Sequence, residues 1–478
     1  MENKNTIKSK LCYGCGDMFA GGAFLVIGLL FLNFLTDIVE LSPLLAGSIF
    51  LVGKIWDAVS DPLMGVLSDR TRSKYGRRRV YFLAGILPIF VSFSMLWVSL
   101  NTNSQITLFV YYLFTYIFFN TVFTMVMIPY NSLLPDMTKD YKERTSYTTV
   151  RLMFSSVSAL LSGVLPMIII KSFGTNVTLG YTAMGLIFAI FYAIPWIFVF
   201  SGTFENECTI PKDKFSMSYT INEFKLTFKN KSFRAHAGFF ISAQTAVDFL
   251  TTLFIYYLTY CLDIKNKFSL VLGILLIVQL LSMPIHMKIS KKFGKTAPLR
   301  VGLSIWIIAL IISLTISSTS NTNLVFLVAV LSGIGTSAST FVPWSILPEL
   351  SDVDELMTGR RREGIYSGMS TLLRKIAQAI SVFIIGVILD TIGYIPNVVQ
   401  KSSTIIGIKL IFALAPIFFI AISLYFSTQY KMTEEKYEIL RNEVARRKNN
   451  QGASTDDNTI KICEELTGVS YDKLWTNN

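Results

Sequence analysis

Histidine is nearly absent: only His236 and His286 occur in 478 residues, and both fall at the ends of apolar runs. With five scattered cysteines the chain has no His/Cys set at metal-ligand spacing. It also lacks a nucleophile elbow and a glycine loop that could cradle phosphate, so an enzyme is not expected. Cys12 and Cys15 form a C-x-x-C, but no second pair accompanies it and it sits at the mouth of the first apolar run, so it reads as coincidence rather than zinc. Charge is scarce as well. Charged residues make up 15% of the chain against 52% hydrophobic, and the mean hydropathy is positive, which excludes an ordinary soluble domain.

The chain instead has long apolar runs. Crossing a hydrocarbon core takes roughly 20 apolar residues per helix, and twelve such segments occur, near residues 13–36, 43–68, 80–100, 106–133, 147–170, 180–201, 236–262, 267–288, 298–317, 323–349, 365–390 and 404–426. The first is a full span without a small-residue cleavage site, so no removable signal peptide is expected. Lysine and arginine concentrate in the loops after spans 2, 4, 6, 8 and 10, which places those loops and both termini in the cytoplasm. The net charge of +12 is then a topological signal, and no nucleic-acid partner is expected.

An internal repeat points to two halves. "IPYNSLLPDM" at 128–137 ends span 4, and "VPWSILPEL" at 342–350 ends span 10. Pro129 and Pro343 lie 214 residues apart; each is followed by an aromatic, then a second proline and an acid, then a charged loop. The basic loops after spans 2 and 8 also correspond. Six helices duplicated to twelve predict two parallel half-bundles around a central cavity. The expected organisation is an N-terminal half (1–201), a polar cytoplasmic linker (202–235), a C-terminal half (236–426) and a cytoplasmic tail (427–478). In the tail Thr433 is a candidate N-cap for a helix through "KYEILRNEVARRK". "NNQGASTDDNT" reads as a linker and the last residues as a weakly amphipathic stretch. A solvated helix with no assigned function is the expectation there.

"KIWDAVSDPLMG" (54–65) puts three ionisable groups inside span 2. Asp57 and Asp61, four apart, share one helix face, with Lys54 on a neighbouring part of it. A charge near mid-membrane costs roughly 2.5–3.5 kcal/mol even on the lenient insertion scale, so these groups are expected to face a polar interior and to pair. Two carboxylates on one face make a cation site of hard oxygens, or a proton site. A salt-bridge staple from Lys54 to one aspartate is the plainer reading, but it needs one acid and two are present. Other polar groups at membrane depth are Asp248 in span 7, Arg151 in span 5, Asn120 and Thr124 in span 4, and Thr371, Arg374 and Lys375 in span 11. They are candidates for hydrogen-bonding a polar solute. For Asp248, a partnership with Lys375 or Arg374 competes with a solute role.

The chain resembles the glycoside-pentoside-hexuronide:cation symporters of the major facilitator superfamily, the group containing melibiose permease. The resemblance rests on "YGCGD" (13–17), "FLTD" (34–37), "KIWDAVSDPLMG", "RTRSKYGRRR", "IPYNSLLPDMTKDYKERTSYTTVR" (128–151), "LPELSDVDE", "GRRREGIYSG" and "GYIPNV" (393–398), in order along almost the whole chain. It implies an all-α polytopic membrane protein with twelve transmembrane helices in two pseudo-symmetric six-helix halves. It further implies alternating-access symport of a sugar or glycoside with Na+ or H+, in the inner or plasma membrane, with no cofactor beyond the coupling ion.

Position by position, the resemblance puts Asp57, Ser60, Asp61 and Thr124 at the sodium ligands of the melibiose-type transporter, although its residue at the Ser60 position is asparagine. If the ion is Na+, Asp57 and Asp61 supply the carboxylates. Lys375 falls on the family lysine near the cation site, Arg151 on the span-5 arginine and Thr371 on a sugar-contacting threonine. Lys54 and Lys375 are then the groups a bound cation would release, which is the expected coupling step. Where the melibiose transporter has sugar-binding acids this chain has Gly21 and Met127, and its stacking tryptophan is Asn131 here, so melibiose-like specificity is not expected. Arg374 replaces an apolar residue and suits an anionic sugar. Arg144, Glu349, Asp352, Asp354, Glu355, Arg361 and Glu363 are candidates for ion pairs closing an inner gate. The alternatives are a cation-coupled lysophospholipid or other amphiphile symporter, since the animal lysophospholipid symporter resembles the chain around "WDAVSDP" and "RREGIYSG", and a polytopic membrane sensor. Nothing in the sequence indicates an oligomeric state.

Overall fold

A computed structural model describes residues 6–138, 141–205, 225–360, 362–449 and 456–475. Among these residues there is no strand, and twelve helices are long and apolar enough to cross a membrane. They are α1 (Ile7–Phe31), α2 (Pro43–Gly65), α3 (Arg79–Leu96), α4 (Gln105–Leu134), α5 (Ser146–Ser172), α6 (Val177–Gly202), α7 (Lys231–Cys261), α8 (Lys265–Phe293), α9 (Ala297–Thr315), α10 (Thr322–Thr358), α11 (Glu363–Thr391) and α12 (Ser402–Gln429). Two further helices follow, α13 (Glu434–Lys448) and α14 (Asp457–Thr467). The chain is a multi-pass, all-α membrane protein, as the hydropathy pattern predicts.

Local chemistry sets where the helices begin. Ser42 caps α2 by accepting from the Leu45 N–H at 3.4 Å, with Pro43 in the first turn. Asn176 caps α6 through the Leu179 N–H at 3.1 Å. Pro62 lies inside the α2 helix, where it has no N–H to give the carbonyl four residues back, and it flanks Asp61. Glu205 caps α3 from a distance in sequence: its carboxylate accepts the backbone N–H groups of Arg77, Arg78 and Arg79 at 2.8–2.9 Å.

Three differences from the sequence reading matter. The charged stretch after span 10 is helical as far as Thr358 and stops at Gly359, whose φ of 69° needs no Cβ. Wider π turns, at Phe34–Ile38 just beyond α1 and at Tyr257–Cys261 in α7, re-aim side chains at those two ends. The tail is not a lone solvated helix. Thr433 caps α13 as expected, but α14 has its own Asp456 cap and a Gly468 stop, and Leu440, Cys463 and Leu466 are buried.

The chain divides into two compact units. Unit 1 comprises Met1–Lys214, Thr251–Leu276 and Ala379–Ile408. Its core is aromatic: Phe31, Phe34, Trp97, Tyr112 and Tyr116 are buried together, with neighbouring ring centroids 5.5–6.5 Å apart. Small residues allow close crossings there, since a Cβ on Gly386 of α11 would run into the Pro43 carbonyl of α2. Unit 2 comprises Phe215–Leu250, Ile277–Gln378 and Lys409–Asn478. In it α9 and α10 cross closely, with no room for a Cβ on Gly335 beside Trp306.

Candidate functional site

In unit 1, α2 and α4 bring the predicted cation residues together. Lys54 and Asp57 are both buried, and Lys54 Nζ lies 2.9 Å from Asp57 Oδ2. Lys54 also donates to Asn120 Oδ1 of α4 at 3.3 Å and sits 4.3 Å from the Phe24 ring centroid. One turn along the same face, Asp61 Oδ1 accepts from Thr124 Oγ1 at 2.6 Å. Ser60 Oγ is buried without a hydrogen-bond partner among the described residues. The result is four oxygen-bearing side chains on two helices, with a lysine ammonium already resting against one carboxylate. Hard oxygens of this kind suit a small monovalent cation or a proton.

In the same unit, Arg151 of α5 donates to buried Asp17 of α1 at 2.8 Å and lies 5.1 Å from the Tyr130 ring centroid. Gly21 sits where α1 meets α5, and a Cβ there would collide with Ser155. Met127 is buried in α4 and Asn131 is exposed.

Unit 2 holds the remaining solute candidates. Arg374 forms a bidentate pair with Asp248, both N–O distances being 2.7 Å. This planar fork leaves the guanidinium charge matched by a buried carboxylate. Thr371 is exposed and donates to its own helix at the Ser367 carbonyl. Lys375 follows Arg374 on the same helix.

The predicted gate acids have partners inside their own unit. Glu349 accepts from Tyr430 at 2.9 Å and pairs with Lys295. Asp352 accepts from Tyr437 at 2.7 Å, and Glu355 meets Lys448 at 2.7 Å. Asp354 accepts from Arg362 Nε at 2.7 Å and Nη2 at 2.6 Å, and from the Tyr366 hydroxyl at 2.9 Å. Glu363 is in the first turn of α11. In unit 1, Arg144 donates to the Thr138 carbonyl. Arg361 lies outside the described residues.

The sequence reading missed one cluster. At the end of unit 1 away from the basic loops, Asp37 is buried and accepts from Thr36 at 2.7 Å, Tyr394 at 2.6 Å and Tyr260 at 2.6 Å. Its carbonyl takes the Asn397 amide, and Tyr256 bonds Thr36 at 2.8 Å. The acid in "FLTD" was the available signal; its tyrosine partners lie more than 200 residues away and have no local signature.

The MFS/sugar transport protein family model matches residues 12–434. The chain belongs to that family. Within it the relatives place the chain among the glycoside-pentoside-hexuronide:cation symporters. A Salmonella typhimurium protein provisionally assigned as a sulfoquinovose importer is 29% identical over 93% of this chain and 94% of its own. The isoprimeverose transporter of Lactiplantibacillus pentosus is 25% identical over 87% of each. The sodium-dependent lysophosphatidylcholine symporter 1-A of Danio rerio is 25% identical over 91% of this chain and 87% of its own. Among solved structures, an inward-facing bacterial homolog of the human lysosomal transporter Spinster superposes with a TM-score of 0.67 at 13% identity, covering 89% of this chain and 97% of that one. That likeness concerns the fold alone. Family membership agrees with a polar, paired interior in an otherwise apolar bundle, and makes transport rather than catalysis the activity to explain.

Proposed function

We propose that this family member is a secondary active transporter carrying a sugar or glycoside together with Na+ or H+ by alternating access, its two six-helix halves rocking about a central site. One observation carries the reading: two carboxylates at membrane depth on one face of α2, one held by Thr124 and one by Lys54. Asp57, Ser60, Asp61 and Thr124 are the proposed cation ligands. An arriving cation displaces the Lys54 ammonium from Asp57, and the freed lysine is the step that links ion to solute, with Lys375 as the second proposed coupling lysine. By linkage, whatever factor the cation adds to solute affinity the solute adds to cation affinity.

Arg151, Asp248, Thr371, Arg374 and Lys375 are the proposed solute groups, with Gly21, Met127 and Asn131 shaping specificity. An anionic sugar fits this set if it takes over the Arg374 fork from Asp248, and the similarity to a protein assigned to sulfoquinovose, a sulfonated sugar, favours that class. The basic loops are proposed to be cytoplasmic, with both termini on the same side, in the inner or plasma membrane.

The test is equilibrium binding of neutral and acidic glycosides to purified protein, with and without sodium, beside an Asp57→Asn/Asp61→Asn variant. One sugar should bind more tightly with the cation present, and the variant should lose that enhancement. An Arg374→Ala variant should lose acidic sugars selectively; equal treatment of neutral and acidic sugars would remove the anionic-sugar reading. The zebrafish relative supplies the second reading, and a lysolipid that binds where no sugar does would establish it.

A further inference from the structure

Lys54 is held by more than its aspartate. An ammonium has three donors, and that of Lys54 gives to Asp57 Oδ2 at 2.9 Å and to Asn120 Oδ1 of α4 at 3.3 Å. The face of the Phe24 ring of α1 lies against the same nitrogen, 4.3 Å from the centroid. Lys54, Asp57 and Asn120 are all buried, and every one of these groups belongs to unit 1.

Both companions of the lysine are fixed by their surroundings. Asn120 Nδ2 donates to the Tyr116 carbonyl one turn back at 2.8 Å, which commits the amide nitrogen to its own helix and leaves the oxygen directed at Lys54. An uncharged acceptor is thus set beside the ammonium. Gly53 lets α2 approach α4 at this level, since a Cβ there would collide with the Tyr116 ring and come within 3.3 Å of Asn120 Nδ2. Trp56 Nε1 ties the two helices again by donating to Thr121 Oγ1 at 2.8 Å. Phe24 packs against Phe119 and Phe123 of α4, with ring centroids 5.6 and 4.7 Å away, and this packing holds its face beside Lys54.

We propose that Asn120 and Phe24 form a seat that receives the Lys54 ammonium when a cation takes Asp57, and that this seat sets cation affinity although neither residue touches the cation. A cation on Asp57 takes the carboxylate away from the lysine, and a bare ammonium at membrane depth is costly. The 3.3 Å contact to Asn120 is long while Asp57 shares the ammonium, and it tightens once Asp57 is withdrawn. That difference between the two states is what gives Asn120 leverage on binding. Asn120 and Phe24 are positioning residues that act through Lys54. The inference rests on the reading of Asp57 as a cation ligand.

Unfolding of the full-length protein in detergent tests the seat without any cation, so its failure is separable from failure of the transport reading. Asp57→Leu takes the carboxylate away from Lys54, as a bound cation would. Asn120→Leu should then lower the unfolding midpoint several times more in the Asp57→Leu background than in wild type, and adding Lys54→Gln should abolish the excess. Equal losses in the two backgrounds overturn the proposal. Should Asp57→Leu fail to fold, Asp57→Asn, which drops the charge and keeps the shape, takes its place. Sodium titration supplies a second readout, one that a merely structural asparagine would not move. Asn120→Leu should weaken sodium binding roughly tenfold, the worth of one hydrogen bond to a charged group. Phe24→Leu should weaken it in the same direction, and neither should do so in a Lys54→Gln background. The same loss with and without Lys54 makes Asn120 a cation ligand and overturns the proposal. If the wild type binds no sodium, the sodium form of the transport reading falls and the unfolding comparison alone decides the seat.

Discussion

Replacing Arg374 with alanine leaves Asp248 buried without its bidentate partner. Breaking a fully buried pair from one side costs about 3–5 kcal/mol, and Arg374, with 22% of its side chain exposed, belongs toward the lower end. Asp248→Asn/Arg374→Gln removes both charges and should recover much of the loss, which thermal or denaturant unfolding in detergent would measure. Lys54 and Asp57 form the corresponding pair in unit 1. At this scale the sequence was informative about which groups are costly and vague about who satisfies them: it offered Asp248 two partners, and the geometry chose Arg374. Asp17, which matches Arg151, carries the same signal of an acid at membrane depth in α1, and its partner was equally hidden. Cys463 shows the converse: burial pushes its thiol up to about 12, so it is inert where docked, although nothing in "IKICEEL" marks it as covered.

The π turns at Phe34–Ile38 and Tyr257–Cys261 explain why the Asp37 cluster was not legible. A regular 3.6-residue period does not forecast a locally wider turn, and that turn decides which way Asp37 and Tyr260 point. Asp37→Asn removes the charge that strengthens three O–H hydrogen bonds. Bonds to a charged group are worth about 1.5–3 kcal/mol each, so even one lost amounts to roughly tenfold or more in the local opening equilibrium of the cluster. Faster hydrogen exchange over residues 394–400 is the expected result. At the basic end, the Asp136 carboxyl would be raised by burial alone, but hydrogen bonds and charge from Arg78 and Arg77, at 2.6 and 2.8 Å, outweigh this and hold it below the ordinary carboxylate value. A depressed folded value means the pair's stabilisation is complete above the unfolded value near 4 and is lost as pH falls through the lower folded one. Melting temperatures between pH 6 and 3 should therefore fall more steeply for wild type than for Asp136→Asn, and parallel profiles would show that the pair contributes nothing.

For the whole molecule, the proposed orientation predicts labelling from opposite sides. A cysteine at Asn176, between α5 and α6, should react with an impermeant maleimide on intact cells, and one at Ser73, in the basic loop before α3, only after permeabilisation. The reverse pattern would invert the topology and make the Asp37 cluster face the cell interior.

Hydropathy, loop charge and the repeated proline-aromatic-proline-acid pattern determined by themselves that this chain is a twelve-helix membrane protein, and the order of its motifs was enough to place it in its family. These signals are local or periodic, and the bilayer turns them directly into structure because every span must satisfy its own backbone. Spacing along one helix likewise put Asp57 and Asp61 on a common face. Only the tertiary structure decided that Lys54 rests on Asp57 and bridges to Asn120, that Arg374 is matched by Asp248, that three hydroxyls converge on Asp37, and that the tail grips the end of α10. Each of these is a choice of partner between residues on different elements. A buried charge announces in the sequence that it needs a partner; which one it gets is fixed by how the helices cross.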